Sequence, residues 1–244
     1  MNSQEKNSIR GRKYTINQHY FDSIDTEEKA YFLGFLYADG HNSKSSVTLA
    51  LKEDDKPILE LFQTLINSNC PLKFRNNEKD RLNGENRKDQ WILTLYNYHL
   101  SQALNNLGMI GDKTFSLTFP NENKIPPLLL RHFIRGFFDG DGWVNENGKS
   151  ICIVSTLEFC NDLNKVFEKE LGVSCYIRAR HPKKNNNIRM LEKKGRIAIK
   201  TILKYLYDDC TISLDRKHTL YLKHSKTTSI REQKRIQRKE NASL

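Results

Sequence analysis

The chain has 244 residues, 37% of them hydrophobic, with 40 Lys and Arg against 29 Asp and Glu, for a net charge of +11 and a pI near 9.4. That size suits one large or two modest domains, and the basic excess points to a polyanionic partner, nucleic acid first. Cys70, Cys152, Cys160, Cys175 and Cys210 show neither CxxC spacing nor a His at zinc-ligand distance, so they are expected to be reduced thiols, and no apolar run reaches membrane-spanning length. With no apolar leader in Met1 to Lys13, an intracellular protein is expected, cytoplasmic in a bacterium or phage or in an organelle matrix.

A first helix is predicted from Asp25, where Asp25 and Glu28 fit a capping box, to Ala38, with Gly40 as its C′ residue. A strand follows at Ser46 to Lys52, then a helix over Pro57 to Ser68 with apolar residues at Ile58, Leu61, Phe62, Leu65 and Ile66. Strands are predicted at Pro71 to Asn76 and Gln90 to Tyr96, around a polar loop from Asn77 to Asp89, and a short helix at Leu100 to Leu107. Asn121 to Ile125 reads as a linker. The order then repeats: a helix from Pro127 to Gly140, a strand at Ser150 to Ser155, and an amphipathic helix from Leu157 to Leu171 capped by Gly172. Strands at Ser174 to His181 and Asn187 to Lys193 flank a basic loop at Pro182 to Asn185. Helices at Ile197 to Tyr207 and Leu214 to Leu222 close the unit. The expected organisation is one unit over residues 14–120, a second over 126–222, and a basic tail over 223–244.

Two segments carry the duplication. Phe32-Leu33-Gly34-Phe35-Leu36-Tyr37-Ala38-Asp39-Gly40 and Ile134-Arg135-Gly136-Phe137-Phe138-Asp139-Gly140-Asp141-Gly142 are both apolar helical runs ending in Asp-Gly. Ala30, Gly34 and Ala38 fall four apart on one face, as do Gly136 and Gly140 on the other helix, so the two backbones can approach closely. An Asp at a helix C-terminus faces the negative end of the helix dipole and needs a cation to answer it. If the helices pair about a pseudo-twofold axis, Asp39 and Asp141 emerge side by side, and two adjacent carboxylates bind a cation or protonate. Oxygen ligands of that kind suit Mg²⁺, or another divalent cation such as Mn²⁺, which can activate water for phosphodiester hydrolysis. Asp139 aligns with Tyr37 and is expected to be a solvated or structural acid near the mouth of the site.

At these residues the chain resembles the LAGLIDADG homing endonucleases in their single-chain, two-motif form, over about Tyr14 to Leu222. The resemblance implies an α+β fold of two pseudo-symmetric αββαββα-type units. The motif helices form their interface, and two antiparallel sheets make a saddle over double-stranded DNA. It implies a monomer associated with intron homing that cuts one strand with each of Asp39 and Asp141. Ala38 and Gly140 would add backbone carbonyls to the metal site. A basic or polar residue near each metal centre is also implied, with Lys52 and Ser155 as candidates after the motif, and Lys193 or Lys194 on the last strand of the second half. The first half has Thr94 and Tyr96 at those places. Residues read as facing DNA are Ser46, Thr48, Lys73, Arg75, Arg178 and Arg180, with Lys183 and Lys184 in the basic loop reaching phosphate. The alternatives are a DNA-binding regulator of the same fold without cleavage and an RNA-splicing maturase.

Overall fold

A computed structural model describes residues 13–78, 82–84, 88–111, 115–181 and 187–225. Lys183, Lys184 and the basic tail beyond Ser225 lie outside the described residues. The first unit runs α1 (Glu27–Asp39), β1 (Gly40–Asn42), β2 (Ser46–Lys52), a 3₁₀ turn (Glu53–Asp55), α2 (Lys56–Leu65), β3 (Lys73–Arg75), β4 (Gln90–Tyr96) and α3 (Tyr98–Leu107). The second runs α4 (Pro127–Asp141), β5 (Gly142–Val144), β6 (Ser150–Thr156), α5 (Leu157–Leu171), β7 (Tyr176–Ala179), β8 (Ile188–Lys194), α6 (Arg196–Tyr207) and α7 (Asp215–Ser225). Each unit holds one antiparallel four-stranded sheet, ordered β1-β2-β4-β3 and β5-β6-β8-β7. The mixed α+β architecture and the αββαββα order agree with the expectation from sequence.

Several local features differ. Thr26, not Asp25, is the N-cap of α1: its hydroxyl accepts from the Lys29 N–H, while Asp25 pairs with the Lys29 ammonium at 2.8 Å. Helix α3 begins two residues earlier than the apolar pattern indicates, because the Asn97 side chain caps the Leu100 N–H. Strands β3 and β7 are shorter than expected. The chain also passes straight from each motif helix into a three-residue strand, β1 or β5, too short to show period-two patterning. Gly40 and Gly142 therefore sit in extended backbone, with φ −78° and −81°, and not in the left-handed region of a helix-ending turn. Their need for glycine is steric: a Cβ on Gly40 would lie 2.6 Å from the Leu36 carbonyl oxygen, and one on Gly142 would lie 2.1 Å from the Phe138 ring.

The two units meet through α1 and α4. An ideal Cβ on Gly34 would lie 1.9 Å from the Phe133 carbonyl oxygen, and one on Gly136 would lie 1.9 Å from the Tyr31 carbonyl oxygen. The contact is reciprocal about a local twofold, as the small-residue spacing requires. Around it pack Tyr31, Phe32, Phe35, Phe133, Phe137 and Phe138, all fully buried. The same interface encloses a charge. Arg135 is buried, donating to the Ile212 carbonyl (2.9 Å), the Leu206 carbonyl (3.0 Å) and Glu27 Oε1 (2.6 Å). Glu27 Oε1 also accepts from the Thr211 N–H at 2.8 Å, so one ion pair fastens α1, α4 and the α6–α7 connection together.

His132 lies beside this pair, with Nδ1 2.9 Å from Arg135 Nη1 and 3.6 Å from Glu27 Oε1. Burial, then the Arg135 charge, push its imidazole down to about 4, against the opposing pull of Glu27. A histidine held neutral in the fold and charged in the unfolded chain favours folding above its unfolded value of about 6.5. That contribution is lost as pH falls through 4. Urea midpoints measured at pH 7, 5.5 and 4.5 should fall less steeply for His132→Gln than for the parent protein, and parallel acid limbs would contradict this.

Candidate metal centre and nucleic-acid interface

The reciprocal glycine contact sets where α1 and α4 end. Both Asp39 and Asp141 are exposed, and Ala38 and Gly140 before them are half-buried. A Cβ built on Gly140 would lie 2.3 Å from the Ala38 Cβ and 2.9 Å from Asp39 Oδ2. The Asp39 carboxylate thus reaches the backbone that immediately precedes Asp141, and no larger side chain than hydrogen fits between them. Four of the residues expected to form the site are brought together: Asp39, Asp141, Ala38 and Gly140. The donor set is two solvent-facing carboxylates beside two helix-terminal carbonyl groups, all hard oxygens, which fits Mg²⁺ or Mn²⁺.

Beneath this pair lies a buried network that the sequence did not disclose. Asp139 is fully buried, not solvated. It accepts from Tyr31 Oη (2.8 Å), Tyr207 Oη (2.5 Å) and the Leu214 N–H (2.8 Å). Burial pushes its carboxyl up, while the Lys217 charge and these donors pull the other way. Tyr37, its counterpart in the first unit, instead donates to the Leu107 carbonyl at 2.7 Å. The quasi-equivalent positions therefore carry different chemistry.

Lys217, from α7, is 4% exposed, and its ammonium donates to the Asp139 carbonyl (2.7 Å), the Gly142 carbonyl (2.6 Å) and the Phe138 carbonyl. It supplies the cation that the C-terminus of α4 requires. Burial lowers its proton affinity to about 8, with Asp139 and, more weakly, Asp39 and Asp141 acting to raise it. The spacing Leu214, Lys217, Leu220 and Tyr221 would have placed this lysine on the apolar face of its helix. Lys217→Met should destabilise the protein by about 3–5 kcal/mol, because it removes the buried charge that opposes Asp139 and the donor to three carbonyls. Denaturation of this variant within about 1 kcal/mol of the parent would show that the network carries little stability.

The proposed basic partners are placed differently from their alignment. Gly40 opposes Leu49 and Gly142 opposes Ile153, so Lys52 corresponds to Thr156, not to Ser155. Thr156 is buried and caps α5 through the Phe159 N–H, and Ser155 points into the core side at 7% exposure. The Lys52 ammonium is 2.7 Å from Asp54 and 3.7 Å from Asp55. Lys194 pairs in register with Ser150, three residues from Ile153 and thus roughly 10 Å along the strand from the point where α4 ends. Lys193 donates to the Ser174 carbonyl. Lys52 is drawn to Asp54 and Lys193 to Ser174, whereas the charge of Lys217 lies within the field of both acids.

The strand register sorts the sheet faces. Val47, Leu49, Leu51, Leu93 and Leu95 are buried on one side of the first sheet. Ser46, Thr48 and Lys52 share the opposite side, and through β4 they share it with Lys73 and Arg75, both exposed. Thr48 donates to Thr94 at 3.2 Å. On the second sheet Arg178 is exposed on the face of Val154 and Glu192, and Arg180 follows it past the end of β7. Arg178 is bound by both oxygens of Glu192, at 2.7 and 2.8 Å, so its guanidinium is aimed by a neighbour. Sequence reading missed the aromatic residues of these open faces: Trp143, Tyr176 and Tyr96 are 53%, 73% and 67% exposed beside the basic groups. Basic groups interleaved with exposed rings suit a nucleic-acid surface.

Known proteins resemble this chain in part of its sequence and in its fold. Residues 129–207 match the family described as "LAGLIDADG-like domain". The homing endonuclease I-DmoI, solved in complex with DNA and Ca, superposes with a TM-score of 0.53 at 14% identity, covering 84% of this chain and 98% of that one. Meganuclease I-SmaMI bound to uncleaveable DNA gives a TM-score of 0.53 at 12% identity, covering 82% and 90%. In sequence, glutamine–fructose-6-phosphate aminotransferase [isomerizing] of Methanocaldococcus jannaschii is 26% identical over 167 residues, 65% of this chain. The chain spans only 14% of the length of that relative. Among the described residues no helix is long and apolar enough to cross a membrane. Residues 129–207 thus match a LAGLIDADG-like domain, and the two-unit fold of the chain is shared with the LAGLIDADG homing endonucleases I-DmoI and I-SmaMI.

Proposed function

We propose that this protein is a divalent-metal-dependent, site-specific DNA endonuclease that makes a double-strand break in a long target and acts as a monomer in intron homing. The observation that carries the reading is the pair of exposed carboxylates, Asp39 and Asp141, brought together by two helices whose backbones touch at Gly34 and Gly136. A fold shared with proteins solved on DNA supports it, as does the net charge of +11.

In this reading Asp39 and Asp141, with the carbonyls of Ala38 and Gly140, hold the cation. Mg²⁺ or Mn²⁺ bound there would polarise the scissile phosphate, activate water and stabilise the leaving oxygen. Each carboxylate serves one strand. Lys217 fixes the end of α4, so that Asp141 meets the phosphate from a set position. Lys52 and Lys194 are flanking charges that steady the phosphates on either side. Ser46, Thr48, Lys73, Arg75, Arg178 and Arg180 contact bases and backbone from the open faces, with Lys183 and Lys184 on the adjoining loop.

A plasmid library with randomised inserts provides the test, because the target is unspecified. The full chain with Mg²⁺ should linearise a small subset of sequences sharing one long motif, and EDTA should stop it. Retention of particular inserts on the protein with no free ends at any Mg²⁺ or Mn²⁺ concentration would favour the non-cleaving regulator.

A further inference from the structure

A second group of ligand side chains stands apart from the carboxylate pair. His19 and Asp22 lie in the segment that precedes α1, and His99 lies in the first turn of α3. The potential donor atoms of these three side chains all lie within 4.8 Å of one another. Asp22 Oδ2 is 2.7 Å from His19 Nδ1, and Asp22 Oδ1 is 2.7 Å from His99 Nε2. The two imidazoles stand 4.5 Å apart between ring centroids, tilted by 58°. All three side chains are open to solvent, so an ion has a path in.

We propose that His19, Asp22 and His99 bind a transition-metal ion of the Zn²⁺ class, which clips the N-terminal segment to α3. Two imidazole nitrogens and one carboxylate oxygen suit zinc, nickel or copper, and not magnesium, which prefers oxygen and water. Zinc bonds of about 2.0–2.2 Å need donor atoms roughly 3.3–3.5 Å apart, so the 2.7 Å contacts must open and separations of up to 4.8 Å must close, movements within reach of exposed side chains. A fourth position is left for water. The surrounding backbone already places the donors. The Asp22 N–H donates to the His19 carbonyl at 3.2 Å, forming the turn that brings the pair together, and the Asn17 N–H donates to the Ile66 carbonyl at 2.9 Å. Asn97 caps the helix that carries His99. His19 Nε2 is 3.1 Å from the Gln18 side-chain amide, an outer partner that can orient the ring once Nδ1 is on the metal.

Because His99 and Asp22 are 77 residues apart, a bound ion would close a long loop in the folded state alone. Thermal unfolding of the full chain tests this. Zinc at about a hundred times its dissociation constant should raise Tm by roughly 5–10 °C. The same concentration of Mg²⁺ should not. His99→Ala and Asp22→Asn, both exposed, should lose most of the zinc shift, while Asp39→Asn/Asp141→Asn should keep it. Co²⁺ should give visible absorption bands of a low-coordinate N/O site in the parent and not in His99→Ala. An equal zinc shift in His99→Ala, a shift that follows the Asp39/Asp141 pair instead, or no shift in the parent up to about 100 μM zinc would each overturn the site.

Discussion

Gly34→Val or Gly136→Val is expected to leave the protein unable to fold at 37 °C. The added Cβ would sit 1.9 Å from a backbone carbonyl oxygen of the facing helix, where an ordinary contact needs well over 3 Å. The obstruction is backbone on both sides, so no side chain can rotate away. The helices must separate by an ångström or more, and that loosens the aromatic packing of Tyr31, Phe35, Phe133 and Phe137 on either side. Overpacking of this kind costs about 3 kcal/mol or more, a large part of the about 5–15 kcal/mol that a typical domain has. Circular dichroism and denaturant unfolding check it. A cooperative transition for Gly34→Val within about 1 kcal/mol of the parent would mean that the helices are not in contact as described.

The second large effect concerns the paired acids. Asp39→Asn/Asp141→Asn should reduce cleavage by well over a hundredfold, since even outer partners of metal ligands matter by 10–100-fold. Both residues are exposed and make none of the core, so the fold should be unchanged within about 0.5 kcal/mol. Removing two negative charges from the surface proposed to face DNA should leave target binding intact or tighter. Loss of binding along with cleavage would place the acids in recognition, and retained cleavage would remove them from the chemistry.

The helix pair was legible in the sequence because its cause is simple. Small residues four apart on an apolar helix have few uses other than close approach, and the duplicated Asp-Gly put both acids at one end. Six of the eight strands among the described residues are legible for a similar reason, as runs of β-branched and apolar residues between polar loops. What stayed hidden depended on three-dimensional register. The strand after each motif was aligned one residue out, which pairs Lys52 with Ser155 on the opposite face when its counterpart is Thr156. The short β1 and β5, which fix that register, carry too few residues to show a pattern. Of the two expectations for Asp139 the structural one holds: it is buried, as is Lys217, and the Tyr31 and Tyr207 hydroxyls and the helix end satisfy them. Arg178, expected to face DNA, is held by Glu192 two residues along the neighbouring strand.

Asymmetry runs through the centre of the molecule. Asp139 and Tyr37 occupy matching positions, one a carboxyl and one a phenol, and Lys217 caps the helix that carries Asp141. The most direct measurement follows strand by strand. A cleavable target with each strand labelled separately, incubated with Mg²⁺, should be cut on both strands by the parent protein. Asp39→Asn and Asp141→Asn should each spare a different strand, and the double variant should cut neither. Cleavage of both strands by the double variant, or loss of the same strand in both single variants, would contradict a centre built from these two carboxylates.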